Sequence, residues 1–456
     1  MKLAVVGGGL SGLAAAYFAR QKAEVTLFER SDRPGGVIQT HRQGDLTLEA
    51  GPDSILRSKP EALELCRELG LEDQIVSTTG AGGALVVKED RLYPIPDGFR
   101  LMAPGRVLPF LLSPVMSWAG KLRMALDLML PPSDLDDPSL SEFVTARLGR
   151  EAYERLAQPL IGGIYGADPE RLSLAATQPS FLELAQRHGS LLRGLWKEGQ
   201  AARGDSGARY SLFFNFRGGT QTLIDRLVEA VGPALQLNSS VEGLKRAEEG
   251  GWQLTVDEEP RHFDAVILAI PAYAQAALVQ RWDRRLGEAL WSVPYSHSVT
   301  VNLVYDRSQL KRKLKAFGFV VPRIENWFLL ACTFSSLKWP GRAPKDKLLL
   351  RGYLGGALGS SILAWDDAET VETVHRELSF LLNLEGEPEQ SLVSRYRDAM
   401  PAYCVGHGEV LERVAERLKR SPTLALAGNG LHGVGIPDCI ATARRSVERV
   451  TGNFSA

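Results

Sequence analysis

A short apolar run, Leu3-Ala4-Val5-Val6, gives way to Gly7-Gly8-Gly9-Leu10-Ser11-Gly12 and then to an alanine-rich stretch reaching about Arg20. No other feature restricts the fold so tightly. The run predicts a strand, and the alanine-rich stretch predicts a helix. The G-x-G-x-x-G between them is a turn without Cβ atoms, so N–H groups at the helix start can face a pyrophosphate. A second strand is expected over Glu24–Phe28, and it ends at Glu29, 17 residues after Gly12. A carboxylate at that point can accept hydrogen bonds from an adenosine ribose. Strand, glycine turn, helix, strand and acid in this order describe the first unit of a parallel α/β sheet.

The whole chain has 456 residues, about three domains at roughly 150 residues each. Fifty-three Lys and Arg against 54 Asp and Glu give a net charge of −1, which excludes a general polyanion or nucleic-acid binder. Cys66, Cys332, Cys404 and Cys439 are scattered, without a C-x-x-C pair, and read as reduced thiols of a cytoplasmic protein. His41, His188, His262, His297, His375, His407 and His432 form no ligand spacing, and the acid run Asp134 to Asp137 reads as a solvated loop, so no metal is expected. The apolar stretch Leu108 to Ala119 is interrupted by Pro114 and is too short to span a bilayer. No leader is expected, because the first strand begins at residue 2.

Further along, residues 60–75 read as helical and 83–95 as a hairpin. From about 100 to 205 helices alternate with Pro and Gly, and Gly204 to Ala208 marks a polar break. Strands are expected at Ala234–Leu237, Trp252–Val256, Phe263–Ile270, in several runs from Ser298 to Gly355, and at Thr423–Ala427. Helices are expected near 369–384 and 437–450, the second after a glycine-rich loop at 428–435. Both ends of the chain therefore read as parts of one nucleotide-binding domain.

The segment Glu29-Arg30-Ser31-Asp32-Arg33-Pro34-Gly35-Gly36 resembles the E-x-x-x-R-x-G-G extension of the FAD-dependent amine oxidase superfamily. Within it, Gly51-Pro52-Asp53-Ser54, Gly162-Gly163-Ile164-Tyr165-Gly166-Ala167-Asp168, His188-Gly189-Ser190-Leu191, Met400-Pro401-Ala402-Tyr403 and Gly433-Val434-Gly435-Ile436-Pro437-Asp438 are similar to blocks of the protoporphyrinogen and coproporphyrinogen oxidases. Ala331-Cys332-Thr333 through Lys338-Trp339-Pro340 looks most like the Gram-positive branch, whose members oxidise coproporphyrinogen III.

The resemblance implies an α/β fold. A Rossmann-like FAD-binding domain would be built from 1–60, 216–272 and 395–456. A mixed-sheet substrate domain would comprise 61–98 and 273–394, and a helical insert of the membrane-associated type would span 99–215. Non-covalent FAD would be held by Gly7, Gly8, Gly9, Leu10, Ser11, Gly12, Glu29, Arg33, Gly35, Gly36, Gly51, Pro52, Asp53, Ser54, Val241, Tyr396, Gly428, Gly435, Ile436 and Pro437. Arg33 is expected to meet phosphate charge, and the helix start after Gly435 to offer N–H groups to the flavin ring. Tyr396 stands where relatives often place Trp, and Ala402 where they place Gln.

The implied reaction is the six-electron oxidation of protoporphyrinogen IX, or by the same chemistry coproporphyrinogen III, with oxygen as acceptor and peroxide as product. No acid or base is assigned, because the aromatising macrocycle needs orientation and exclusion of water more than proton transfer. Arg100 is expected to pair a propionate. Gly163, Phe317, Val320 and Tyr353 are expected to line the macrocycle, the last two departing from the family's Leu or Met. Residues 101–130, with Met102, Leu108, Phe110, Leu111, Leu112, Met116 and Trp118 among Arg106, Lys121 and Arg123, read either as an apolar, basic-edged peripheral membrane surface or as a buried helix pair. A homodimer, and handover to the next haem-pathway enzyme, are further expectations. An amine oxidase or carotenoid desaturase on the same scaffold, and a non-catalytic binding protein like the Rab GDP-dissociation inhibitors, are the competing readings.

Overall fold

The computed structural model describes residues 1–79, 83–96, 99–100, 102–132, 135–165, 167–201, 212–356 and 359–452. The polar break at Gly204–Ala208 lies outside them. Five parallel strands form the central sheet: β1 (Lys2–Val6), β2 (Glu24–Phe28), β3 (Leu235–Gln236), β4 (Ala265–Leu268) and β5 (Leu424–Leu426), in the order β3-β2-β1-β4-β5. The sheet thus joins both ends of the chain to its middle.

Side-chain alternation gives this sheet two buried faces. Leu3 and Val5 point into a core with the first helix (Leu10–Ala19) and the closing helix (Ile436–Gly452). Ala4 and Val6 point into a second core with Trp252, Leu254 and the helix Ala272–Val279. Half of the first helix is Ala and Gly, so the closing helix can pack closely on it.

A seven-stranded mixed sheet forms the second layer. Its order is Gln390–Pro401, Tyr295–Asp306, Lys347–Gly355, Ala331–Thr333, Gly318–Val320, Leu85–Lys88 and Arg91–Pro94. Only the contact between Gly318–Val320 and Leu85–Lys88 is parallel. The hairpin expected at 83–95 is therefore present, and it extends this sheet. The run beginning at Trp327 forms a strand over Ala331–Thr333, and its first residues line a pocket. One face of the sheet buries Val301, Leu303, Leu350 and Leu354 against the helix Asp367–Leu382.

Residues 102–201 are mainly helical, with a short pairing of Phe99–Arg100 and Ala103–Pro104 at their start. Buried ion pairing organises this part. Arg147 (5% exposed) bonds the carboxylate of Asp127 (0%), whose other oxygen accepts from Ser190 Oγ and Leu192 N. The block at His188–Leu191 thus pins helices together. Asp137 likewise departs from the solvated-loop reading, since it accepts from Ser173 Oγ and Gly406 N. Among the described residues no group of three or more His, Cys, Asp or Glu is placed to hold a metal ion, and no helix is long and apolar enough to cross a membrane.

The 102–129 region divides its apolar residues by face. Met102, Phe110, Met116 and Met124 are buried, whereas Leu108, Leu112, Trp118, Leu122 and Met129 are exposed. The expected basic edge is mostly turned inward. Lys121 gives its ammonium to the carbonyls of Leu111 and Ser113, and Arg123 donates to Thr145, Ala146 and Arg147. The same helices thus bury one apolar face and expose another.

Candidate functional site

The glycine turn leaves room for an anion. Gly7 has φ +106° and donates to Phe28 O at 2.8 Å, tying the turn to β2. A Cβ on Gly12 would lie 1.8 Å from Gly7 O, so only glycine lets the helix start this close to the strand. A Cβ on Gly9 would instead meet nothing within 4 Å. The first helix has neither a side-chain cap nor an acidic residue in its first turn. Its orphan N–H groups thus border open space, which suits a pyrophosphate.

Glu29 is already oriented by the turn. Its Oε2 accepts from Gly8 N at 2.6 Å, and its Oε1 from Ser31 N at 2.9 Å and Ser31 Oγ at 2.6 Å. Residues 236–239 run beside this carboxylate, with Ser239 N donating to Glu29 O, and Val241 begins the strand that follows. Gly35 N donates to Gly8 O at 2.8 Å, bringing the Gly35–Gly36 bend under the turn. Leu10 and Ser11 are buried. Arg33 is engaged within its own loop. Its guanidinium folds back onto the carbonyls of Pro34, Gly36 and Ile38, so it braces the bend.

The segment 49–54 is held by buried polar groups from the mixed sheet. In register across that sheet, Val320, Ala331, Tyr353, Thr300 and Ser394 share one face. Thr333, Arg351 and Asn302 form the next row on the same face. Thr300 Oγ1 donates to Ala50 O at 2.9 Å and Asn302 Nδ2 to Glu49 O at 3.0 Å. Arg351, 2% exposed, donates to Ala50 O and Gly51 O and stands 3.8 Å from Asp53 Oδ2. Lys338 bonds Ser54 Oγ at 2.7 Å and lies 3.6 Å from Asp53 Oδ1.

Burial alone would push the Asp53 carboxyl up, but Lys338, Arg351 and the Ser54 hydroxyl outweigh it and hold the group below its ordinary value. Glu49 pairs Arg342 and accepts from Thr40, Asn215 and Thr220. A Cβ on Gly51 would sit 1.9 Å from Val37 O, locking this segment against the bend after Gly36. Pro52 O accepts from Thr220 Oγ1. Tyr396 stands opposite Ser298 on the same sheet face, within electrostatic reach of Arg351 and Arg33.

At the closing loop Gly428 (φ +116°) donates to Thr442 Oγ1. Asp438 bonds Lys59 and accepts from Gly435 N at 3.2 Å. The Gly435 N–H is thus met by the helix's own carboxylate, while Ile436 and Pro437 are buried. Ala402 lies in the apolar core of the helical part, where a Gln amide would need a partner. His407, 4% exposed, bonds Leu431 O at 2.9 Å and stacks on Tyr403. Burial holds its pKa below the ordinary value, so native His407 stays neutral where the unfolded chain takes up a proton. Stability should therefore fall as pH drops below about 6.5. His407→Gln should flatten that slope in urea melts between pH 7 and 5; an unchanged slope would remove His407 as its source.

Of the expected substrate contacts, Val320 and Tyr353 share a sheet face, and Tyr353 Oη meets Thr333 Oγ1 at 3.3 Å. Burial pushes the Tyr353 phenol up to about 12, so it stays neutral. Phe317, half buried, precedes the same strand, and Gly163 lies in the helix Gln158–Tyr165. Arg100 occupies a strand position, but its side chain lies outside the described residues. Beside these residues is a cavity of about 290 Å³ walled by Val321, Trp327, Phe328, Leu329 and Leu330, with Gly162 and Gly355 on its lining and Arg323 and Asp168 as its charged members.

The family model for flavin containing amine oxidoreductases matches residues 10–451. A coproporphyrinogen III oxidase of Staphylococcus aureus is 33% identical, the match covering 98% of each chain. Protoporphyrinogen oxidase 1 of Arabidopsis thaliana is 28% identical over 99% of this chain and 88% of its own. A crystal structure from Exiguobacterium sp. 255-15, provisionally named a protoporphyrinogen oxidase, superposes with a TM-score of 0.88 at 31% identity, covering 99% of both chains.

Proposed function

The chain belongs to the flavin-containing amine oxidoreductase family, and from that membership we propose that it is an FAD-dependent, oxygen-using oxidase of a porphyrinogen in haem biosynthesis. One observation carries the reading: an open dinucleotide turn is locked, through the 49–54 segment, to a sheet face bearing Val320 and Tyr353, in a chain alignable end to end with porphyrinogen oxidases. Relatives bearing the protoporphyrinogen and the coproporphyrinogen names both match along almost the whole chain.

Bound flavin would supply a two-electron acceptor, used three times per macrocycle and reoxidised by oxygen. The chain's own part is binding and orientation. The first helix N-terminus and Glu29 would take the pyrophosphate and ribose, and the Arg351–Asp53–Lys338 clamp would hold the 49–54 loop between cofactor and sheet. Val320, Tyr353 and Phe317 would hold the macrocycle in a dry slot. Cys439 is pushed up to about 11 by burial, and Cys404 is raised by the same cause, so both stay thiols. That supports non-covalent FAD. All flavin should leave the protein on acid precipitation, and colour retained in the pellet would count against it.

The exposed Leu108, Leu112, Trp118, Leu122 and Met129 support peripheral contact with a bilayer, which suits a lipophilic product. Because Lys121 and Arg123 are internally bonded, this contact should be apolar and resist salt. Trp118→Ser with Leu122→Ser should lower sedimentation with phosphatidylcholine vesicles by on the order of tenfold. Binding abolished by salt, or unchanged in the double variant, would contradict it.

The function itself is tested by supplying each porphyrinogen to purified holoprotein and following porphyrin fluorescence. Appearance of porphyrin with peroxide is expected; a flavin-loaded protein inert toward both would refute the reading. A protein that takes up no flavin would point to the non-catalytic alternative.

A further inference from the structure

We infer that Arg323 is a carboxylate anchor that makes the site selective for a porphyrinogen carrying additional carboxylate arms, coproporphyrinogen III over protoporphyrinogen IX. The inference rests on the porphyrinogen reading above. The two substrates differ by two propionates in place of two vinyls, so a site for the first needs cations beyond any single propionate partner.

The cavity of about 290 Å³ is built for an edge of a ligand. It is at the small end of ligand pockets, roughly 300–1,000 Å³, too small for a macrocycle but sufficient for one pyrrole edge and its arm. Its lining adjoins the expected macrocycle contacts in sequence. Gly162 precedes Gly163, Val321 follows Val320, and Gly355 shares the sheet face of Tyr353. Trp327, Phe328 and Leu329 give it an apolar wall.

Two ion pairs join this loop to the helical part, and they differ in kind. The side chains of Arg155 and Glu325 are the more sheltered, 17% and 8% exposed, and Glu325 also accepts from Glu89 N. That pair is structural. Arg323 and Asp168 are 48% and 37% exposed and meet through a single contact, Nη1 to Oδ1 at 3.1 Å. Among the described residues no other acceptor is recorded for the Arg323 side chain. A guanidinium fork offers five donors and prefers bidentate carboxylates. A half-exposed, end-on pair is cheaply exchanged, so an arriving propionate can take the place of Asp168. The backbone is pinned independently, because Arg323 N donates to Gln158 Oε1 at 3.0 Å. The anchor can thus move without its loop.

Arg323→Gln and Asp168→Asn test the inference together. Arg323→Gln should raise KM for coproporphyrinogen III on the order of tenfold or more, with kcat nearly kept and KM for protoporphyrinogen IX changed less than about threefold. Asp168→Asn, which removes the competing carboxylate, should lower KM for coproporphyrinogen III, and loss of a merely structural ion pair would not. Quenching of Trp fluorescence by coproporphyrin III should follow the same order without turnover. Equal effects on both substrates, or weaker coproporphyrin binding in Asp168→Asn, would overturn the anchor. Wild-type protein that turns over neither porphyrinogen would instead overturn the function.

Discussion

Gly9→Ala should leave the apoprotein folded and as stable as the wild type, yet weaken flavin binding by on the order of tenfold or more. Gly9 adopts φ −69° and ψ 179°, which alanine accepts without strain, and its Cβ would stand in open space. That space lies before the uncapped start of the first helix, so the added methyl obstructs only an incoming ligand. Gly12→Ala makes the opposite error. Its Cβ would overlap Gly7 O at 1.8 Å, against backbone that cannot swing away, so helix and strand must separate. Gly12→Ala should lose both stability and flavin, measured by thermal melting and by flavin content. If Gly9→Ala retained full flavin affinity, the helix start would not be the pyrophosphate site.

The second large effect is expected at Arg351. Replacement by Met keeps the volume but removes the donor to Ala50 O and Gly51 O and the cation beside Asp53. Breaking one side of a buried ion pair costs about 3–5 kcal/mol, and both residues are nearly inaccessible, at 2% and 8% exposed. The pH dependence has a definite sign. Asp53 titrates below its unfolded value, so its stabilisation is present above about pH 4 and fades as pH falls through the native value. Without Arg351, burial gains relative weight, the carboxyl rises, and acid unfolding moves to higher pH. Arg351→Met should therefore lower the urea midpoint and raise the acid midpoint together. Either quantity unchanged would mean that the clamp is not holding the 49–54 loop.

These two sites differ in how openly the sequence displays them. The glycine turn was legible because its chemistry is local: strand, turn, helix and acid follow within 29 residues. The hairpin near 85–94, the antiparallel runs between 295 and 355, and the closing helix were likewise written in local pattern. The clamp was not. Its members, Glu49, Asp53, Thr300, Asn302, Lys338 and Arg351, are spread over 300 residues, and only strand register brings them together. A signal existed nonetheless. Arg351 interrupts the apolar run Leu348-Leu349-Leu350, and Thr300 and Asn302 alternate with Val299, Val301 and Leu303. Polar residues at period two inside a buried strand mean a polar face with partners. Arg33 shows the same non-obvious local bonding: its motif position suggests phosphate, and its guanidinium also meets carbonyls of its own loop. Arg323 was hidden because its partner, Asp168, reaches it from a helical segment far away in sequence.

The central claim, that this fold orients a porphyrinogen against bound flavin, is tested most directly by aerobic turnover of coproporphyrinogen III by the purified, flavin-loaded protein. The account predicts that flavin-dependent porphyrin fluorescence grows with three peroxides formed per porphyrin, as six electrons passed in pairs require. A fully flavin-loaded protein that forms porphyrin no faster than buffer, from either porphyrinogen, would contradict it.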